Sequence, residues 1–513
     1  MLRTLDLLPL LASAVLLTAC GNGDGNGSMT PAPPPTRGQL LNNPPPVLAT
    51  YSTPDLLSKL SSDVLGKELL QLTPSLTCSV TIYQLQYETV GGAGEATTAS
   101  GALMVPSGTG ASCQGQRPVV LYAHGTNTSK TFNIADLTNS NNSEGLLLAA
   151  LFASQGYIVV APNYAGYDSS SLGYHPYLNA DQQSKDMIDS LAAAHTAFAT
   201  AKATDNGKLF VTGYSQGGFV AMATHRAMQT AGTAVTAAAP MSGPYALSAF
   251  GDAIFMGEVN LSATVNFNML VTSYQHAYGN IYANATDIFE PAYATGVDAL
   301  LPSTTDINTL FAEGKIPKDA LFNSTPPGPV YAAITPATTP ANLAPAFALG
   351  FGTSDLVTNA YRSAYLQDAA AAPDGGFPTT TTDMPPVAPT NALRKAVKTN
   401  DLRNWAPTAP VLLCGGDGDP TSFYLNTQLM QGYWAANAPT SSVTVLDVDS
   451  AASSADPYGT LKDGFAAAKA AVQAAAVAGG ATDGGVMAVL QVYHAGLVPP
   501  FCLYAVKSFF DGH

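Results

Sequence analysis

"LFVTGYSQGGFVAMATH", residues 209–225, passes from an apolar, β-prone run into a helix-prone one, with a serine between glycines at the junction. The pattern predicts a strand, a tight turn and a helix. Gly213, Ser215 and Gly217 fit G-x-S-x-G. In that setting the turn strains the serine backbone and presents its hydroxyl, while the glycines let strand and helix approach where a side chain would collide. A helix starting there also aims free amides at the same point.

The neighbouring segments repeat the rhythm. "SVTIYQLQYETV" (79–90) and "ASGALMVPSG" (99–108), joined by a glycine-rich turn, read as a hairpin. "RPVVLYAHGT" (117–126) and "YIVVAPNYAGY" (157–167) read as buried strands with the helix "SEGLLLAALFASQGY" (143–157) between them. A long amphipathic helix over 179–201, which Asn179 can cap, precedes the serine-bearing unit, and "VTAAAPMSGPY" (235–245) is a further strand. Strands alternating with helices imply an α/β fold, a mostly parallel sheet flanked by helices.

From 246 to 405 the alternation stops, and the chain becomes rich in Tyr, Pro, Thr and Ala with weak helical patches. About 160 residues is too long for a bare loop, so a large, mainly helical cap insertion is expected. The core then spans 51–245 and 406–513. It resumes at "APVLLCGGDGDP" (409–420) and "SSVTVLDVDS" (441–450) and closes with "VMAVLQVYHAGLVPPFCLYAVKSFF" (486–510). The first part of that closing run reads as an apolar, strand-like stretch breaking into a loop at His494, before a final helix.

The chain has 513 residues, 46% hydrophobic and 11% charged, with net charge −15. Such a composition excludes disorder, and without a basic stripe it argues against nucleic acid as a partner. Residues 1–19 read as a signal peptide: Arg3, then an apolar stretch over 7–17 too short to span a membrane. "LTAC" (17–20) resembles the lipobox of bacterial lipoproteins, which implies lipidation of Cys20, export, and attachment to the cell envelope through the lipid; an ordinary secretory signal, with Cys20 incidental and the protein secreted, is the alternative. Residues 20–50 are rich in Gly, Asn and Pro and read as a flexible linker. In an oxidising compartment Cys78, Cys113, Cys414 and Cys502 allow three pairings. Cys78 with Cys113 is preferred because both flank early strands, leaving Cys414 with Cys502; four buried thiols are the alternative. No Cys-x-x-Cys or histidine cluster suggests a metal.

A serine hydroxyl is a weak nucleophile near neutral pH and needs a base, which in turn needs an orienting acid. For a serine on such a turn, the expected chain order is Ser, Asp or Glu, then His. His124, His175 and His195 precede the serine, His225 lies on the helix leaving it, His276 falls in the insertion and His513 is the last residue. His494 remains as the base. The acid belongs at the carboxyl end of the strand "PVLLCGG", where Asp417 and Asp419 both qualify. "GGDGDP" resembles the G-x-x-D-P turn of many hydrolases, matched by Gly416 and Asp419, so Asp419 is preferred. Amides of Thr126 and Gln216 are the expected oxyanion donors.

"YAHGT" (122–126), "APNYAGYDSSSLGYHPYL" (161–178), "GYSQGG" (213–218) and "LLCGGDGDPTSF" (412–423) together resemble α/β-hydrolases of the secretory-lipase-like kind. The resemblance runs from about Cys78 to the end. Asn163 stands where that group usually has aspartate. The family implies ester cleavage through an acyl-enzyme, a cap over the pocket and no cofactor, with an ester bearing an apolar acyl group as substrate. It leaves the acyl length and the oligomeric state open. Tyr164, Tyr167, His175, Pro176 and Tyr177 are expected to pack the wall beside the site, and Trp405 and Trp434 to pack the core. A serine peptidase of the same fold and a non-catalytic surface lipoprotein are the alternatives.

Overall fold

Buried apolar runs form the centre of the sheet. Arg117–Ala123 (β4), Ile158–Pro162 (β5), Ala237–Met241 (β7) and Val411–Gly415 (β10) have both faces covered, as the near-continuous hydrophobicity of each requires. The structure, a computed structural model, describes residues 36–72, 75–139, 142–377 and 382–513. With Val47–Tyr51 (β1), Ser79–Val90 (β2), Ala96–Ser107 (β3), Asp205–Tyr214 (β6) and Val443–Asp447 (β11), the strands form one nine-stranded sheet. Its order is β1-β2-β3-β5-β4-β6-β7-β10-β11. The pairs from β1 to β5 are antiparallel and all later ones parallel. This is the α/β-hydrolase fold.

Helices Ser143–Leu151, Ala180–Ala201, Gln216–Thr230 and Leu425–Asn437 make the crossovers between successive parallel strands. The Asn179 side chain accepts from Gln182 N and so caps the second of them. Disulfides join Cys78 to Cys113, beside β2 and β4, and Cys414 on β10 to Cys502 on the last helix.

The regular structure described in the 246–405 segment is almost all helix, with Leu247–Phe255, Ala263–Tyr278, Asn359–Ala371 and Ala392–Asn400 its longest pieces, though turns and irregular chain make up the larger share. Phe322–Asn323 (β8) and Phe351–Gly352 (β9) form a small parallel pair within it. Many of its apolar residues, Phe255, Phe267, Tyr274 and Leu393 among them, belong to the same core as the sheet strands. Buried ion pairs tie its helices and loops together. Arg394 bridges Asp252 and Asp368, and Arg403 bridges Asp374 and Asp401, all less than a tenth exposed. Such groups are tolerated inside only when paired and hydrogen-bonded.

Two expectations are corrected. The linker expected over 20–50 ends sooner, because residues 36–51 lie along the sheet edge. Gly38 N and Leu41 N donate to Glu88 O and Gln86 O, Arg37 pairs with Asp189, and β1 extends the sheet beside β2. An open edge of unpaired amides and carbonyls is thereby covered, which composition alone does not disclose. Residues 1–35, with Cys20, lie outside the described residues. The run before His494 is also helical rather than strand-like: Val486–Val492 is an α-helix, followed by a π-helical turn, Tyr493–Leu497, and the final helix Val498–Asp511. Its valines suggested a strand, but Val486, Leu490 and Tyr493 recur at helical spacing.

Candidate active site

Ser215 sits between β6 and the helix Gln216–Thr230 with φ 59° and ψ −121°, a conformation that few non-glycine residues adopt. The packing around it explains the glycines. A Cβ at Gly217 would stand 1.9 Å from Ala123 O, one at Gly213 2.3 Å from Gly217 O, and one at Gly218 2.3 Å from Met241 O. Any side chain there would drive the helix off β4 and β7. The strained turn is held by Ser215 N donating to Met241 O on β7.

The π-helical turn brings His494 to this point. Its Nε2 lies 2.7 Å from Ser215 Oγ and its Nδ1 2.6 Å from Asp419 Oδ2. The other Asp419 oxygen accepts from Thr421 N and Ser422 N, so the carboxylate, 1% exposed, is fully used. Tyr214 OH donates to His494 O and tethers the turn. π-Helical turns recur at functional sites, since the extra residue re-aims one side chain. Asp417 is exposed, and its N–H donates to Asp447 Oδ1. The structure thus brings together Ser215, His494 and Asp419, residues scattered over the chain, and leaves Asp417 outside.

Thr126 and Gln216 both line the cavity beside Ser215, and among the described residues neither amide has an acceptor. The preceding amide, Gly125 N, is taken by the Glu144 carboxyl at 3.2 Å. A Cβ on Gly125 would lie 3.7 Å from the Ser215 Cβ, an ordinary contact distance that places this loop beside the hydroxyl. Glu144 is a residue that sequence reasoning missed. It looks like an ordinary first-turn helix acid, yet it faces the cavity and accepts from Tyr122 OH. Burial pushes its carboxyl up to about 7, against the hydrogen bonds from Tyr122 and Gly125 and the nearby His494.

The tyrosine- and histidine-rich segment after β5 forms the wall behind the site. His175 donates from Nδ1 to Ala165 O and faces the Gln216 side-chain amide with Nε2 at 2.7 Å, so it orients the residue after the serine. Asn163 uses both ends of its amide, accepting from Ile134 N and donating to Ser100 Oγ. An ionised aspartate there could only accept. Trp405 and Trp434 pack edge to face, with Trp434 Nε1 donating to Trp405 O.

Burial lowers His124 to about 4, His175 to about 3 and His225 to about 4. Unfolded histidines bind protons below about 6.5, whereas these three stay neutral when folded, so each lowers stability as pH falls from 6.5 towards 4. His225 packs against Trp405, away from the serine. His225→Phe should therefore recover about 2 kcal/mol of unfolding free energy at pH 5 relative to its effect at pH 7.5. Denaturant titrations of both proteins at the two pH values measure this.

A cavity of about 440 Å³ opens at Ser215, within the size range of small-molecule sites. From the insertion it is walled by Phe250, Ile254, Phe255, Phe267, Leu270 and Phe311, and from the core by Leu65 and Leu503.

Residues 147–267, which hold the serine turn, match the model of the prolyl oligopeptidase family. No curated protein matches the chain significantly. Among solved structures, the chain is similar to the rice cell wall degrading esterase LipA from Xanthomonas oryzae. That likeness has 26% identity and TM-score 0.62, and covers 80% of this chain and 91% of the esterase. A protein from Legionella pneumophila, 19% identical with TM-score 0.62 over 92% of this chain and 97% of its own, shares the fold. The chain has the fold of the α/β-hydrolases and is similar in structure to an esterase.

Proposed function

We propose that the chain is a carboxylic-ester hydrolase that works through an acyl-enzyme on Ser215. The observation that carries this reading is the continuous hydrogen-bonded relay from Ser215 Oγ through His494 to Asp419. His494 Nε2 takes the hydroxyl proton as Oγ attacks the ester carbonyl, and Asp419 holds the Nδ1–H tautomer and stabilises the imidazolium. The amides of Thr126 and Gln216 receive the oxyanion. His494 then gives its proton to the departing alcohol. In the second half it activates water, which attacks the acyl group and releases the acid, with the proton returning to Ser215. The apolar walls from the insertion bind the acyl chain. Lipidation of Cys20 after export would hold the enzyme at a membrane surface, a reading that rests on residues 1–20 alone.

The match to the prolyl oligopeptidase family favours a second reading, a serine peptidase with the same relay. Against it stands the cavity. Its acidic side chain, Glu144, is driven toward the neutral form by burial and is already engaged by Tyr122 and Gly125, so it is not poised to hold a peptide amine. Hydrolysis of p-nitrophenyl esters from acetate upward, run beside peptide anilides, separates the two. If the acyl chain enters the apolar cavity, kcat/KM should rise by up to about fourfold per added methylene until the cavity is filled. Faster cleavage of the anilides would favour the peptidase, and inactivity on both series a non-catalytic lipoprotein.

A further inference from the structure

Acid and base stand on separate elements, the loop after β10 and the turn before the last helix, and one side chain spans both. Tyr493 immediately precedes His494. Its hydroxyl accepts from Gly418 N, the amide just before Asp419, at 3.0 Å, and donates to Asp449 Oδ2 at 2.7 Å. The ring is 2% exposed and packs edge to face on Phe465. The acid loop is laid directly on it. A Cβ at Gly416 would come within 2.4 Å of the Tyr493 hydroxyl, and one at Gly418 within 3.0 Å of the ring. The glycines of "GGDGDP" therefore serve this contact. Asp449 is itself fixed, since its carboxylate pairs with Lys469 and its N–H donates to Asp447 Oδ1, the same oxygen that receives Asp417 N. Lys469 and Phe465 both come from the alanine-rich helix Gly459–Ala478.

We propose that Tyr493, held by Asp449, is a positioning residue that locks the Asp419 loop to the His494 turn and so maintains the hydrogen bond between acid and base. The role rests on the ester-hydrolase reading of the same site. Burial and the neighbouring Asp449 push the phenol well above its ordinary ionisation range, so the hydroxyl remains a donor to that carboxylate. An error of about 1 Å in a relay is enough to cost about a hundredfold in rate, which gives such a brace its value.

Tyr493→Phe keeps the ring and removes only the bridge. It should lower kcat by about tenfold or more with KM within about twofold, because the substrate walls are untouched. The far-downfield proton resonance of a histidine Nδ1–H bonded to carboxylate should shift or broaden with it. Asp449→Asn, which still offers an oxygen to the tyrosine, should retain most of the rate, whereas Asp449→Ala should repeat the Tyr493→Phe defect. Wild-type kcat and an unchanged proton resonance in Tyr493→Phe would overturn the role, even if the melting temperature fell. Ser215→Ala, measured alongside, separates the two levels: retained ester hydrolysis in that variant would overturn the underlying reading itself.

Discussion

Ser215→Ala is expected to reduce kcat on a p-nitrophenyl ester by about 10⁵- to 10⁶-fold, with KM little changed and the fold intact. The size follows from the relay acting as a unit. Without Oγ no acyl-enzyme forms, and His494 and the two free amides can at most assist a slow direct attack by water. Alanine is smaller than serine and adopts the same backbone, so the turn loses only the hydroxyl and its 2.7 Å contact with His494 Nε2. Steady-state kinetics with active-site titration give the number, and a melting curve checks the fold. A loss of less than about tenfold would show that another group performs the attack.

The second large effect separates two neighbouring aspartates. Asp419→Asn should lower kcat by about 10⁴-fold, because the amide can turn its NH₂ toward His494 Nδ1, forcing the tautomer whose Nε2 already bears a hydrogen and cannot accept the serine proton. The 2.6 Å contact and the almost complete burial of Asp419 leave that nitrogen no other partner of the right kind. Asp417→Asn should stay within about twofold of wild type, since Asp417 is exposed and engages the fold through its backbone amide. Parallel kcat/KM measurements decide between them. The reverse pattern would mean that the loop is read two residues out of place.

Much of this architecture was legible in the chain. The central strands are short, largely apolar runs and the longest crossover helix carries an amphipathic period, so the alternation of strands with helices implied a parallel sheet. Ser215 was legible because three glycines crowd a strand-to-helix junction, and those glycines turn out to be required by backbone contacts with β4 and β7. His494 was reached by chain order rather than by local pattern, and its local structure was misread. Its valine-rich approach resembles a strand, while its helical character comes from packing against the sheet and from a π turn that no simple periodicity announces. Residues 36–50 were misread for a related reason, since a Pro- and Asn-rich stretch shows nothing of the edge it covers. Glu144 and Tyr493 were invisible because an acid in a first helical turn and an aromatic in an apolar run look like ordinary residues until the loops around them are placed.

The central claim is that Ser215 becomes covalently acylated, and trapping that bond tests it most directly. The protein is incubated with a fluorophosphonate, digested, and the modified residue located by mass spectrometry. The relay predicts one adduct, on Ser215, that fails to form in Ser215→Ala and forms far more slowly in Asp419→Asn. An enzyme that hydrolyses esters while carrying no adduct, or carrying it on a different residue, would contradict the account.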